Sequence, residues 1–266
     1  MMRYGAMNYP IKPVLNELED IAQLGFDYLE LTLDPPQAHY FQIQQQKNDL
    51  LAALDRHNMR LVCHLPTFLS MADLTDSLRK ASLDETLKSI EVAADLNPLK
   101  IVAHPSYIGG LGVFVLGQAR QYAKDSLAAV VQKTDQLGLD LCLENMFPRC
   151  RYGIETEDFI EIFDQFPALR LTLDTGHAHI ESPGGKRTLE FIETFPDRIG
   201  HVHISDNFGK EDNHLPIGTG TINFRRIVRA LKRIEYEDTV TFEIFSRDRD
   251  YLRISREKFD KMWTTL

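Results

Sequence analysis

The sequence predicts an α/β fold, a single (β/α)8 barrel, and three observations predict it. Eight short apolar runs recur along the 266 residues, and longer segments with helical spacing lie between them. Repeated β-then-α order implies parallel strands, because parallel neighbours need a crossover connection. The length suits one such barrel, which typically takes ~250 residues. No low-complexity tract or linker-like boundary interrupts the chain, so residues 1–266 read as one domain. A doubly wound open sheet is the alternative. It is disfavoured by the count of eight units and by the lack of a GxGxxG-like loop after the first strand.

The predicted strands are residues 3–7, 26–33, 60–64, 100–104, 140–145, 170–174, 200–204 and 240–245. After the first, Val14, Leu15, Leu18, Ile21 and Ala22 mark one face of a helix that Gly25 stops. After the third, Leu83, Leu87, Ile90, Ala93 and Ala94 mark another. Leu127, Val130, Val131 and Leu137, then Gly138, mark a third before the fifth strand. Residues 224–234 form a basic amphipathic segment before the last strand, and a final helix is expected over 255–263.

Composition is that of an ordinary globular protein, 43% hydrophobic and 26% charged. The formal net charge of −9 speaks against broad nucleic-acid binding, which leaves a basic footprint. Cys63, Cys142 and Cys150 form no CxxC pair and imply no disulfide framework, so a reducing cytoplasm is the expected location. The N-terminal MMRYGAMNYP lacks an apolar signal region. No run approaches the ~18 apolar residues of a membrane span.

In such a barrel the active site lies at the C-terminal ends of the strands. Strand two ends near Glu30, strand three in His64 (LVCHLP) and strand four in His104 (IVAHPS). Strand five ends in Glu144 (LCLENM), and strand six in Asp174 with His177 three residues on (LTLDTGH). Strand seven carries His203 and Asp206 (HVHISDN), the loop after it Asp212 and His214, and strand eight Glu243 (TFEIFS). Imidazole and carboxylate are the donors for Zn2+, Mn2+, Mg2+ or Fe2+. One strand ending so means nothing; six in succession point to a metal site at the C-terminal ends. Strand alternation puts His201 and His203 on one face and Val202 and Ile204 on the other, so an inward His203 carries His201 inward below it.

Each residue also has a plainer reading. A lone His64 or His104 is more often a hydrogen-bonded structural histidine. Glu144 and Glu243 close apolar runs and must be paired or metal-bound, since burying a carboxylate uncompensated is unfavourable. Asp174 also fits a cap of the following turn. Asp212 also fits loop polarity, and Gly218 and Gly220 turn positions with positive φ. His39, His57 and His179 show no partner pattern and read as surface or structural. Cys63 reads as a small core residue beside the site. Arg225, Arg226, Arg229, Lys232 and Arg233 read as a solvated helix face.

The segments LCLENM, LTLDTGH, HVHISDN, DNHLPIGTG and FEIFS, in that order, resemble the xylose isomerase-like TIM barrel superfamily. That group holds a sugar phosphate isomerase/epimerase branch and endonuclease IV, also called AP endonuclease family 2. The resemblance implies a single-metal core of Glu144, Asp174, His203 and Glu243. Its endonuclease IV side adds His64 and His104, sharing a second metal with Glu144, and His177, Asp212 and His214 on a third. One to three divalent ions per chain are implied. The 203–212 stretch is short, as in the isomerase branch, and no insertion matches DNA-penetrating loops.

Two activities follow from the resemblance. The preferred one is isomerisation or epimerisation of a small sugar or sugar phosphate through an enediolate. Glu144 and Glu243 would then alternate as base and acid, and His177 would bind a hydroxyl or phosphate. The other is an endonuclease IV-like multinuclear phosphoesterase. A barrel that binds without turnover is disfavoured by the full set of acid, base and ligand groups. The expected partner is therefore a small molecule. Nucleic acid is disfavoured, a membrane is not expected, and a homo-oligomer is left open.

Overall fold

The structure is a computed structural model that describes residues 2–266. Eight parallel strands close into a barrel in chain order, with β8 bonded back to β1. They are β1 (Arg3–Met7), β2 (Tyr28–Thr32), β3 (Arg60–His64), β4 (Ile101–Ala103), β5 (Leu141–Glu144), β6 (Arg170–Asp174), β7 (Ile199–Ile204) and β8 (Thr239–Phe242). The helices are α1 (Val14–Gln23), α2 (Tyr40–His57), α3 (Asp76–Ala94), α4 (Leu116–Gln136), α5 (Thr156–Gln165), α6 (Thr175–His179), α7 (Lys186–Thr194), α8 (Phe224–Arg233) and α9 (Asp250–Thr265). The eight predicted strands are all present, several of them trimmed by one to three residues.

Period-2 alternation sorts each strand into two environments. Leu29, Leu31, Leu61, Cys63, Leu143, Leu171, Leu173, Val202, Ile204, Val240 and Phe242 belong to the main apolar core. Cys63 therefore packs away from the site rather than beside it, while its neighbour His64 points the other way. Barrel interiors of this kind are usually filled by branched apolar side chains. Here the separate interior cluster is only Tyr28, Val62 and Val102, with Leu99 against it. Below it, Lys100 bonds the Gly200 carbonyl and lies 2.8 Å from Asp238 Oδ1, and Arg170 lies 3.2 Å from Asp238 Oδ2. Above it, inward positions are polar on strand after strand.

The helix faces follow the sequence pattern. α8 buries Phe224, Ile227, Val228, Ala230 and Leu231 and leaves Arg225, Arg226, Arg229 and Arg233 exposed. His39 pairs with Glu85 and His57 with Glu19, and His179 Nε2 lies 3.0 Å from Thr221 Oγ1, none of them contacting the strand-end carboxylates. Among the described residues no helix is long and apolar enough to cross a membrane.

Candidate metal centre

β5 and β6 end on Glu144 and Asp174, Glu243 follows β8 directly, and His203 sits near the end of β7. All four are buried. One donor atom from each lies within 4.8 Å of the others. His203 Nδ1 is 3.1 Å from Glu243 Oε1, 3.4 Å from Glu144 Oε1 and 3.8 Å from Asp174 Oδ2. Neither His203 Nδ1 nor Asp174 Oδ2 makes an aligned hydrogen bond. Buried polar atoms are rarely left so. Three carboxylates and an imidazole converging on one point fit a divalent cation.

Local features explain the placement. Asp174 Oδ1 accepts from His177 N at 2.5 Å, capping α6, while Oδ2 stays open toward His203. The capping and ligand readings of Asp174 thus apply to different oxygens. Gly176 lets this turn close on β7: a Cβ there would stand 2.5 Å from Ser205 Oγ. Asn145 bonds both backbone groups of Asp174, at 2.8 and 3.0 Å, and so clasps the ends of β5 and β6.

A second donor group is contiguous with the first. His64 Nε2 and His104 Nε2 lie 3.2 and 3.3 Å from Glu144 Oε2. His64 Nδ1 donates to the Leu65 carbonyl at 2.7 Å, so its Nε2 lone pair faces the carboxylate. A proton or a cation must lie between them. Burial works against a charged His64, but Glu144 more than offsets it, pushing His64 up to about 9. Burial lowers His104.

The third set converges differently. His177 Nε2 and His214 Nε2 approach the same oxygen of Asp212, at 3.2 and 2.9 Å, and Asp212 Oδ1 has no partner. His177 Nδ1 reaches Glu144 Oε1 at 3.1 Å, and His214 Nδ1 lies 3.6 Å from Glu243 Oε2. All nine residues that the resemblance implies as ligands therefore meet in one cluster.

Asp206, named with them, does something else. Its carboxylate accepts from the backbone N–H groups of Asn207, Gly218, Gly220 and Ile222 at 2.8–3.1 Å, fixing the base of the loop that carries Asp212 and His214. Gly218 has φ +84, as expected for a turn. Gly220 is needed instead for space: a Cβ would stand 2.3 Å from the Asn207 carbonyl.

Glu30 is the residue to which sequence reasoning gave no role. It is fully buried, and its two oxygens lie 3.0 Å from His203 Nε2 and 2.9 Å from His201 Nε2. Burial would raise its pKa, but His203 and His201 hold it well below the usual carboxylate range. An ionised carboxylate only accepts, so His203 must carry its proton on Nε2 and present Nδ1 to the cluster. A glutamate inside the otherwise apolar run YLELT was the available signal.

The carboxylates at the site differ in acidity. Burial raises Glu144, but His203 and His104 more than offset it and hold it well below its ordinary value. Glu243 is pushed up to about 7 by burial, against His203 and with Glu144 and Asp174 beside it. Two carboxylates so separated suit one base and one acid. A cavity of about 810 Å³ opens above them, walled by Tyr9, Phe68, Tyr107, Phe147 and Phe245.

The sequence profile of the xylose isomerase-like TIM barrel family matches residues 18–262. The uncharacterized protein MJ1311 of Methanocaldococcus jannaschii is 30% identical over 276 residues, covering 97% of this chain and 92% of that protein. An L-ribulose 3-epimerase of a Methylomonas species is 29% identical over 238 residues, covering 85% and 77%. Among solved structures, a D-tagatose 3-epimerase-like protein superposes with a TM-score of 0.86 at 28% identity, covering 99% of this chain and 97% of that one.

Proposed function

The chain belongs to the xylose isomerase-like TIM barrel family, and within it we propose a divalent-metal-dependent epimerase or isomerase of a small ketose or ketose phosphate. The observation that carries this is the convergence of Glu144, Asp174, His203 and Glu243, with buried donor atoms left unpartnered toward one another. Similarity to sugar 3-epimerases supports the substrate class. Residues 1–266 act as one functional unit in this reading.

A divalent ion held by these four residues would supply Lewis-acid polarisation of substrate oxygens. The remaining work falls to the chain. Glu144, kept ionised by its histidines, takes the proton from the carbon beside the carbonyl at a carboxylate oxygen. Glu243, which burial pushes up to about 7 in the metal-free site, is the acid that returns a proton to the enediolate. His177, bonded to Asn145 O at 3.0 Å and facing Asp212, orients a substrate hydroxyl.

The His64–His104–Glu144 group favours a second reading, a multinuclear phosphoesterase. Against it, the cavity lining among the described residues includes one guanidinium and no lysine, whereas phosphodiester backbones are held by several cations. Isotope fate separates the two. The metal-loaded protein should wash deuterium from D2O into the carbon beside the carbonyl of a ketose. Incorporation of 18O from water into a released phosphomonoester, with no carbon exchange across a ketose panel, would overturn the assignment.

A further inference from the structure

The loops after β4 and β5 are fastened together beside the metal centre. Ile108 N donates to Cys150 O at 3.1 Å. Pro105 packs on Gly153, where a Cβ would stand 2.4 Å from the proline ring. Ser106 and Arg149, one from each loop, line the same cavity as the metal-centre residues.

Ser106 is 4% exposed, and its Oγ has no hydrogen-bond partner. Its φ of 89° lies in the left-handed region, which a serine seldom occupies without a local reason. A buried hydroxyl without a partner, in a cavity wall two residues beyond His104, needs an oxygen or nitrogen to complete it. A ligand in the cavity can supply one.

Arg149 is exposed at the cavity wall. The acids and histidines that line the cavity with it are engaged. Asp34 accepts from Thr32 and Thr67, and the others belong to the metal centre. Among the described lining residues, Arg149 is the one permanent cation, and no carboxylate pairs with it. A free guanidinium fork recognises phosphate and carboxylate oxygens two at a time, and a serine hydroxyl donates to the same groups.

We infer that Ser106 and Arg149 form a subsite for the anionic end of the substrate, so that the ketose handled at the metal centre bears a phosphate or a carboxylate. This deepens the ketose reading and rests on it. A neutral ketose would leave the Arg149 fork unused.

The test is calorimetric binding to the Mn2+-loaded protein, which needs no turnover. The probes are matched: D-ribulose against D-ribulose 5-phosphate, D-fructose against D-fructose 6-phosphate, and D-fructose against D-fructuronate. At least one anionic probe should bind about 10-fold or more tightly than its neutral partner. Arg149→Gln should abolish that advantage, Arg149→Lys should keep part of it, and the neutral ketoses should bind each variant as they bind wild type. Ser106→Ala should weaken the favoured anionic probe several-fold. Whether the phosphates or the uronate gain the advantage identifies the source of the charge. Equal binding of charged and neutral partners, or an advantage that survives Arg149→Gln, overturns the subsite. Absence of carbon-bound deuterium exchange with every probe would instead overturn the proposed activity, and the binding comparison would still be readable. Arg149 is exposed, so unchanged melting of Arg149→Gln serves as the folding control.

Discussion

Replacing Glu30 by Gln tests whether a residue with no place among the proposed ligands sets the metal affinity. The carboxylate bonds His203 Nε2 at 3.0 Å and His201 Nε2 at 2.9 Å, all three side chains fully buried. Glutamine is isosteric but offers one acceptor and one donor where two acceptors are required. One imidazole must then give up its Nε2 proton. If His203 does so, its proton moves to Nδ1 and blocks the donor that faces Glu144, Asp174 and Glu243. His201 can absorb part of the change, because its Nδ1 lies 2.6 Å from Thr239 Oγ1, a group able to donate or accept. Loss of such an outer partner lowers metal affinity by about 10–100-fold, equivalent to roughly 1.4–2.8 kcal/mol. The lost charge-assisted bonds also remove about 1.5–3 kcal/mol of metal-free stability. Titration calorimetry with Mn2+ reads the first, denaturant unfolding of the metal-free protein the second, and 15N-imidazole spectra the tautomer. Affinity within twofold of wild type, with Nε2 of His203 still protonated, would refute the reasoning.

Three further outcomes follow from the same geometry. Glu243→Ala should strip metal and nearly all activity, because it removes the oxygen nearest His203 Nδ1; wild-type metal content in the purified variant would exclude Glu243 as a ligand. Asp212→Ala should act mainly on KM if Asp212, bridged by His177 and His214, only lines the sugar site. A kcat lower by orders of magnitude with KM unchanged would favour the multinuclear hydrolase. Asp238, paired with both Lys100 and Arg170 beneath the barrel, is subject to burial but held below its ordinary value by Lys100 and Arg170. Its lowered folded pKa means that its contribution is complete above the unfolded value of ~3.9 and is lost as pH falls through the folded one. Asp238→Asn should therefore be destabilised by about 1–3 kcal/mol at pH 7, converging on wild type in acid; a pH-independent gap would count against the pair.

What could be read from sequence follows from how local each signal is. A strand buried on both faces shows as an apolar run, and a donor at its end shows as the residue that breaks the run, as with LCLE and LTLD. The helix α2 gave no such signal, because its buried set is only Ile43, Leu50, Ala53 and Leu54 among polar residues. Side-chain direction along a strand is periodic, yet the absolute face is set by the closed barrel. The presence of Cys63 in the core was therefore legible, and its facing away from the site was not.

Residues that act through partners distant in sequence were the least legible. Glu30 meets His203 across 173 positions, and nothing near Glu30 in the chain announces a histidine. Asp206 carries the same lesson with the opposite outcome. It looked like one more strand-end carboxylate, and four backbone N–H groups from its own downstream loop consume its oxygens. A carboxylate with its lone pairs spent on backbone has little left for a cation. Asp174 spends Oδ1 in the same way and keeps Oδ2. The distinction between scaffold and ligand at this barrel mouth is thus a count of unspent lone pairs, and residue type and position alone do not determine that count.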